Sequence, residues 1–332
     1  MVNGINSHLI TQLRACSNSL FIDNALHRFF PSPLGGELVD LALLPLGLLN
    51  AAVLTIKSIV ARSLGGHIKA FSLAVCTIIK NEGRYLTEYI NFYLAQGVDK
   101  IIIYDNDSND NPLAVLSPYI DSGCIEYRQI SGKMRQLDAY NDAIRRHRND
   151  YSAIAFIDTD EFMVPSPDFK TAKDAIRSFF ECHHEASGMQ VNWKIFGSSD
   201  YMRIEDRPAL VTQAFKYRAR DDFPANRHTK SVVIPNNVLA FLNPHYAIYL
   251  PHCFALNTSG LKITGPFCTP TYKYVSLHHY FCKSYGEFLE KRARGKADAL
   301  DIRPLEEFCE HDKNEIYDDS ALQAMQRAVN DH

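Results

Sequence analysis

Asp158, Thr159, Asp160 and Glu161 close an unbroken apolar run, Ala153 to Ile157. Two carboxylates one residue apart at a strand end can hold a hard divalent cation, because the intervening side chain turns the other way. Manganese or magnesium held in this way would bridge the phosphates of a nucleotide. Far along the chain, His278 and His279 sit in VSLHHYF, and either imidazole could complete the shell of such an ion. A bare DxD also occurs in ordinary turns, so its weight depends on the elements that carry it.

Those elements alternate. Phe71–Ile79, Ile101–Tyr104, Cys124–Ile130 and Tyr151–Ile157 read as strands, and the spacing predicts helices over Tyr85–Leu94, Pro112–Tyr119 and Gln136–Arg148. Strands separated by helices imply parallel βαβ units with right-handed crossovers. In such sheets, ligands bind beyond the carboxyl ends of the strands. Three polar clusters follow strands directly: Asn81-Glu82, Asp105 to Asp110, and Asp158 to Glu161. Neither GxGxxG nor GxxxxGK[ST] follows any of them, which disfavours a dinucleotide or P-loop site. After Pro165 and Pro167 the texture changes to antiparallel-looking pieces, Gly188–Ile195, Ala214–Arg218, Thr229–Ile234 and Tyr272–Leu277, and a charged helical stretch starts near residue 284.

Composition narrows the class. Hydrophobic residues make up 46% and charged residues 22%, which is globular usage, and the formal net charge of −3 lacks the positive field of a nucleic-acid binder. Arg145 to Arg148 is short enough to serve as a basic helix end. The eight cysteines are scattered without a CxxC pair, which predicts reduced thiols in a cytoplasmic chain and no structural zinc. Residues 1–30 lack the order of a secretory signal. Leu41 to Ile56 is uncharged but shorter than the ~20 residues a span needs, and Pro45, Gly47 and Asn50 weaken it as a helix. Three readings follow in order: an interfacial or monotopic hairpin or helix, a helix docked on the body, and a true span. The first gives peripheral membrane contact through residues 38–62, with Lys57, Arg62 and Lys69 favouring the cytoplasmic face.

Taken together, CTIIKNE at 76–82, Gly97-Val98, YDNDS at 104–108, Gln136 to Asn141, FIDTDEF at 156–162, WKIFGSS at 193–199, and His279-Tyr280-Phe281 with Lys283-Ser284 resemble the glycosyltransferases of the family 2 and family 92 group, of bacterial polysaccharide or lipopolysaccharide type. The resemblance covers roughly residues 71–295. It implies an α/β fold of the GT-A kind with a mostly parallel central sheet, to which the residues before it add an N-terminal apolar helical segment. The implied division is a 1–70 extension, a 71–165 nucleotide-sugar-binding half, a 166–283 acceptor-binding half and a 284–332 helical tail. It also implies a nucleotide-sugar donor, usually UDP-linked, and a divalent metal, Mn2+ or Mg2+. By position, Thr77, Asn81 and Glu82 would border the nucleoside, Asp105 and Asp107 the base or ribose, and Gln136 and Asn141 the ribose or diphosphate. Asp158 and Asp160 would hold the metal, with His279 as third ligand.

In that chemistry the metal neutralises the leaving diphosphate, and a general base deprotonates the acceptor hydroxyl. Asp200, Glu205, Asp221 and Asp222 are the candidate bases, with Asp221-Asp222 set among Arg218, Arg220, Arg227, His228 and Lys230. The segment Trp193 to Ser199 suits contact with a sugar ring. The expected function is metal-dependent, inverting glycosyl transfer to a glycan or glycolipid acceptor in cell-envelope polysaccharide synthesis. The competing readings are a catalytically silent nucleotide-sugar-binding scaffold and a metal-dependent nucleotidyltransferase.

Overall fold

A computed structural model describes residues 2–20, 33–63, 70–295 and 303–329. Two helices, α1 (Val2–Asn18) and α2 (Pro33–Ser63), precede β1 (Leu73–Ile79), whose sequence LAVCTII is buried throughout. Strand alternation sends its side chains to two cores. Leu73, Val75 and Ile79 join Tyr89 and Tyr93 on one face, while Ala74, Cys76 and Ile78 join Tyr140 and Ile144 on the other. A strand that is apolar on both faces must lie inside a sheet covered on both sides. The covers are α3 (Gly83–Ala95) on one face and, after β2 (Lys100–Asp105), α4 (Pro112–Asp121) and β3 (Ile125–Gln129), a further helix on the other. Helix α5 spans Gln136–Arg146 and leads into β4 (Ala153–Phe156). β1 runs parallel to both β2 and β4, and β2 parallel to β3, as the alternating pattern requires.

The remaining elements extend the same sheet. They are β5 (Glu161–Pro165), α6 (Ala172–Cys182), β6 (Gly188–Ile195), β7 (Tyr217–Arg218), β8 (Thr229–Val233), the hairpin β9 (Val238–Asn243) and β10 (Tyr246–Tyr249), β11 (Ala255–Asn257), β12 (Lys262–Ile263) and β13 (Val275–His279). α7 (Tyr285–Arg294), α8 (Glu306–His311), β14 (Ile316–Tyr317) and α9 (Ser320–Val329) complete the order. The path is β12-β11-β6-β8-β4-β1-β2-β3, with β13 joining β5 to β6. The sheet is mostly parallel, as expected, and strands from before and after Pro165 share it, because β8 enters antiparallel between β4 and β6. Two local expectations differ. Val211–Ala214 is a helical turn, so only Tyr217–Arg218 of the Ala214–Arg218 piece is strand. β6 is antiparallel to β8 alone and parallel to β11 and β13.

Pro45, Gly47 and Asn50 do not break the apolar segment, which is one helix of 31 residues. Gly47 is a close-approach position: a Cβ there would collide with the carbonyl oxygen of Cys16 on α1. Asn50 donates to Ser19 Oγ at 2.9 Å, and Ser17 Oγ donates to the Asp40 carbonyl at 2.8 Å. The helix pair then packs on the β9–β10 hairpin through Ala15, Ala51, Leu239, Ala240, Ile248 and Leu250. Gly36–Val60, with mean hydropathy 2.0, is long and apolar enough to cross a membrane by length and composition, so the 41–56 boundaries were too tight. Lys69 lies outside the described residues.

One buried ion pair fastens the far end of the chain to this frame. Arg207 donates from Nε and Nη2 to the two oxygens of Glu287, at 3.0 and 2.7 Å, and both side chains are 2% exposed. Glu287 also accepts from Tyr85 Oη and from Ser284 Oγ, the N-cap of α7. Burial alone would raise this carboxyl, but these donors pull it down to about 2. Removing one partner strands the other charge, so Glu287→Ala is expected to lower the unfolding free energy by about 3–5 kcal/mol in chemical denaturation. A depressed carboxyl contributes fully above its ordinary pKa of 4.5, and that contribution fades as pH falls towards about 2. Unchanged stability of the variant at neutral pH would refute this role.

Candidate active site

A cavity of about 630 Å³ opens where β1, β2 and β4 end, lined by Lys80 and Glu82, by Asn106, and by Asp158 to Asp160. Its floor is tied together by backbone amides that the sequence frees through left-handed residues. Asn81 and Asp107 have φ of 53° and 55°, a region that Asn and Asp tolerate. The Asn81 amide donates to Ser108 Oγ, the Asn109 amide to Asn81 Oδ1, and the Gly83 amide to Asp110 Oδ2, at 2.7–3.0 Å. The loops after β1 and β2 are thereby one unit.

Each carboxylate of the DxD carries an ammonium. Lys230 of β8 donates to Asp158 Oδ2 at 2.7 Å, and Gln136 of α5 donates to Asp158 Oδ1 at 2.8 Å. Lys291 of α7 donates to Asp160 Oδ2 at 2.6 Å, and His279 Nε2 lies 3.5 Å from the same oxygen. Burial would raise both carboxyls, but Lys230 holds Asp158 below its usual range, and Lys291 and His279 hold Asp160 well below it. Burial pushes Glu161 well above, as do the neighbouring Asp158 and Asp160. Glu161 nevertheless accepts two bonds, from Trp193 Nε1 at 2.6 Å and from the Asp158 amide at 2.8 Å.

Alternation along β13 separates the adjacent histidines. His279 faces the cavity, and His278 faces the other way, where Phe196 and Ser320 meet it. Trp193, on the neighbouring strand β6, stacks on His228 with ring centres 4.7 Å apart at 19°, and His245 and His279 close around it. Burial keeps all three imidazoles biased towards the neutral form, with His279 lowered to about 4 and His245 to about 3. Glu82 is paired at 2.6 Å with Arg294, at the end of α7. Arg303, Glu307 and His311 form the wall opposite the sheet.

The structure thus gathers Glu82, Gln136, Asp158, Asp160 and His279 at one cavity. Other residues singled out in the sequence do not line it. Thr77 is fully buried in β1. Asn81 fastens the loop, with its carbonyl accepting from Arg294. Asp105 accepts from Tyr127 Oη and the Ser108 amide, Asp107 accepts from the Gly132 amide, and it is Asn106 between them that reaches the wall. Asn141 donates to the Phe241 carbonyl and accepts from the Phe241 amide, clamping α5 to the hairpin. Asp200 and Asp222 are exposed, and Asp221, 62% exposed, pairs with Arg218 at 2.7 Å. As for the metal set, Asp158 is committed to Lys230 and Gln136, and no group of three His, Cys, Asp or Glu is placed to hold an ion among the described residues. Asp160 and His279 remain as a pair. Sequence reasoning missed Lys291 and His245 as wall residues and treated Lys230 as part of a basic loop. A lysine inside the β-branched run TKSVV is the signal for a buried partner.

The profile of glycosyltransferase family 92 matches residues 69–291, more than half of the chain. A glycosyltransferase family 92 protein of Oryza sativa subsp. japonica is 27% identical over 284 residues, covering 79% of this chain and 45% of that protein. One of Ricinus communis is 27% identical over 168 residues, covering 50% of this chain and 29% of that protein. The chain therefore spans less than half the length of either relative. Among solved structures, S. aureus TarS 1–349 is similar at 13% identity and a TM-score of 0.37, covering 78% of this chain and 71% of that one.

Trp193 is the only tryptophan, so indole emission, excited beyond the tyrosine band, reads this cavity alone. Saturating change in that signal is expected when a nucleoside diphosphate is titrated in, and no change at millimolar ligand would mean that the diphosphate binds elsewhere or not at all. Protonated imidazole quenches a stacked indole, and burial holds His228, His245 and His279 down. Emission should therefore stay level from pH 8 to 6.5, the ordinary histidine pKa, and fall only below it. A midpoint above 6.5 would contradict that environment.

Proposed function

The chain belongs to glycosyltransferase family 92, and on that premise we propose that it moves a sugar from a nucleotide-sugar donor, of the UDP-linked kind, to a hydroxyl of a glycan or glycolipid acceptor. The observation that carries this reading is the cavity in which the DxD, buried at Asp160 and half-buried at Asp158, meets two ammoniums and the Trp193 ring at the carboxyl edge of the sheet. Lys230 and Lys291 place positive charge beside the position of a leaving diphosphate, where a low dielectric makes it count most. Trp193, fixed by its bond to Glu161 and covered on one face by His228, shapes the wall of the pocket rather than lying open as a stacking face. The expected role in envelope polysaccharide synthesis, in the cytoplasm, rests on the resemblance and on the apolar helix.

Asp160 and His279 fit a divalent cation of the Mn2+ or Mg2+ kind, since such ions take few protein ligands and complete their shell from phosphates and water. Such an ion would offset charge on the departing diphosphate. Lys291 shares the oxygen that would ligate it, so ammonium and cation compete for Asp160.

For the acceptor proton, the group we assign is His228 rather than Asp200, Asp221 or Asp222. Its Nδ1 donates to the Ala225 carbonyl at 3.1 Å, which fixes the tautomer and leaves Nε2 bare. The ring lines the cavity and is held neutral by burial. Direct deprotonation of the acceptor suits a single displacement with inversion. His228→Ala is expected to lower kcat by about 10²–10⁴-fold while donor affinity, read by Trp193 fluorescence, stays within a few-fold. A variant with full turnover would return the assignment to an acidic residue.

The class itself is tested by release of nucleoside diphosphate from a panel of nucleotide sugars, with manganese or with chelator. Manganese-dependent release from one donor is expected in the wild type and is lost in Asp160→Ala. Release of pyrophosphate instead would mark a nucleotidyltransferase, and donor binding without release in the presence of a full acceptor panel would mark a silent scaffold.

A further inference from the structure

Helix α2 has two apolar faces of different fate. Val39, Leu43, Gly47, Ala51 and Ser58 face inward, held by α1 and the β9–β10 hairpin, and Ser58 Oγ donates to Asn237 Oδ1 at 2.6 Å. The opposite face is bare. Leu38, Leu41, Leu46, Leu49, Val53 and Ile56 are exposed, Leu41 by 66% and Ile56 by 62%; Leu9 and Ile10 of α1 are exposed as well. Every exposed residue from Leu38 to Ile56 is Leu, Ala, Pro, Val or Ile. At 1.5 Å per residue this strip is about 28 Å long. Charge returns only at its ends, with exposed Glu37 and Lys57.

Such a strip discriminates between covers. A protein partner over this length would place about one hydrogen bond per 100–200 Å² at the interface, and this face offers no side-chain donor or acceptor for one. Hydrocarbon asks for none. A spanning helix would need lipid or helices all round it, yet on the inner face Ala51 and Ser58 pack against the polar-edged domain, with α1 covering Gly47 and Asn50. We infer that α2 lies in the plane of one bilayer leaflet as a monotopic seat, its outer face among the acyl chains and the domain riding above it. The turn of the hairpin on which α2 rests supplies Pro244 and His245 to the cavity, so one element joins the seat to the site. This inference does not depend on the glycosyl-transfer reading, because vesicle partition involves no donor.

The full chain is mixed with sealed phosphatidylcholine vesicles and floated. Flotation that persists in molar salt is expected. Leu41→Gln/Leu49→Gln/Ile56→Gln, all exposed positions, should reduce the bound fraction by more than about tenfold with Trp193 emission unchanged. Glu37→Cys and Lys57→Cys, probed with a membrane-impermeant maleimide and mapped by mass spectrometry, should both label from the same side as the exposed Cys182. Labelling of only one end would show a span and overturn the proposal. Absence from the floated fraction, with a concentration-dependent dimer abolished by the triple variant, would overturn it in favour of a second copy.

Discussion

Two carboxylates at the mouth of a covered sheet cannot both stay ionised unless cations stand beside them. This fold brings the cations from opposite directions. Lys230, 3% exposed, comes from β8, which has to insert antiparallel between β4 and β6 to reach Asp158. Lys291 comes from α7, more than a hundred residues after Asp160, and α7 is held there by its own cap and by the Arg207–Glu287 pair. The order of strands, the long return of the chain and the anchored helix all serve one balance of charge. Glu161 sits behind it, where burial disfavours ionisation and where its oxygens receive Trp193 and the Asp158 amide.

The parallel half was legible because its signals are local. LAVCTII, IIIY and YSAIAFI announce themselves as strands through β-branched apolar runs, and each is followed by a polar loop. The observed boundaries, Leu73–Ile79, Lys100–Asp105 and Ala153–Phe156, differ from the expected ones by a few residues at most. The cavity's acidic side was legible for the same reason. Its basic side was not: Lys230 and Lys291 meet their carboxylates across 72 and 131 residues, a separation that spacing cannot express. Asp105, Asp107 and Asn141 mislead in the opposite sense. Their side chains look free in the sequence but are spent on Tyr127, Gly132 and Phe241.

Helix α2 illustrates a different limit. A helix that is half docked normally shows a polar outer stripe, and here both stripes are apolar, so periodicity gives no sign of which side packs. Gly47 and Asn50 looked like breakers, yet they are the contacts through which α1 approaches. Residues unfavourable to an isolated helix become favourable when a second helix needs room and a hydrogen bond.

The matched family region ends at residue 291, but Arg294, Arg303, Glu307 and His311, which line the cavity, come after it. That later stretch is nevertheless built into the body of the fold: β14 pairs antiparallel with β7, Asp318 holds Arg218 and Lys194, and Ala321 and Ala324 of α9 lie in the main core. The wall opposite the carboxylates is therefore no detachable cassette, and a change in what enters the cavity has to arise by substitution within a tail on which the strands themselves lean.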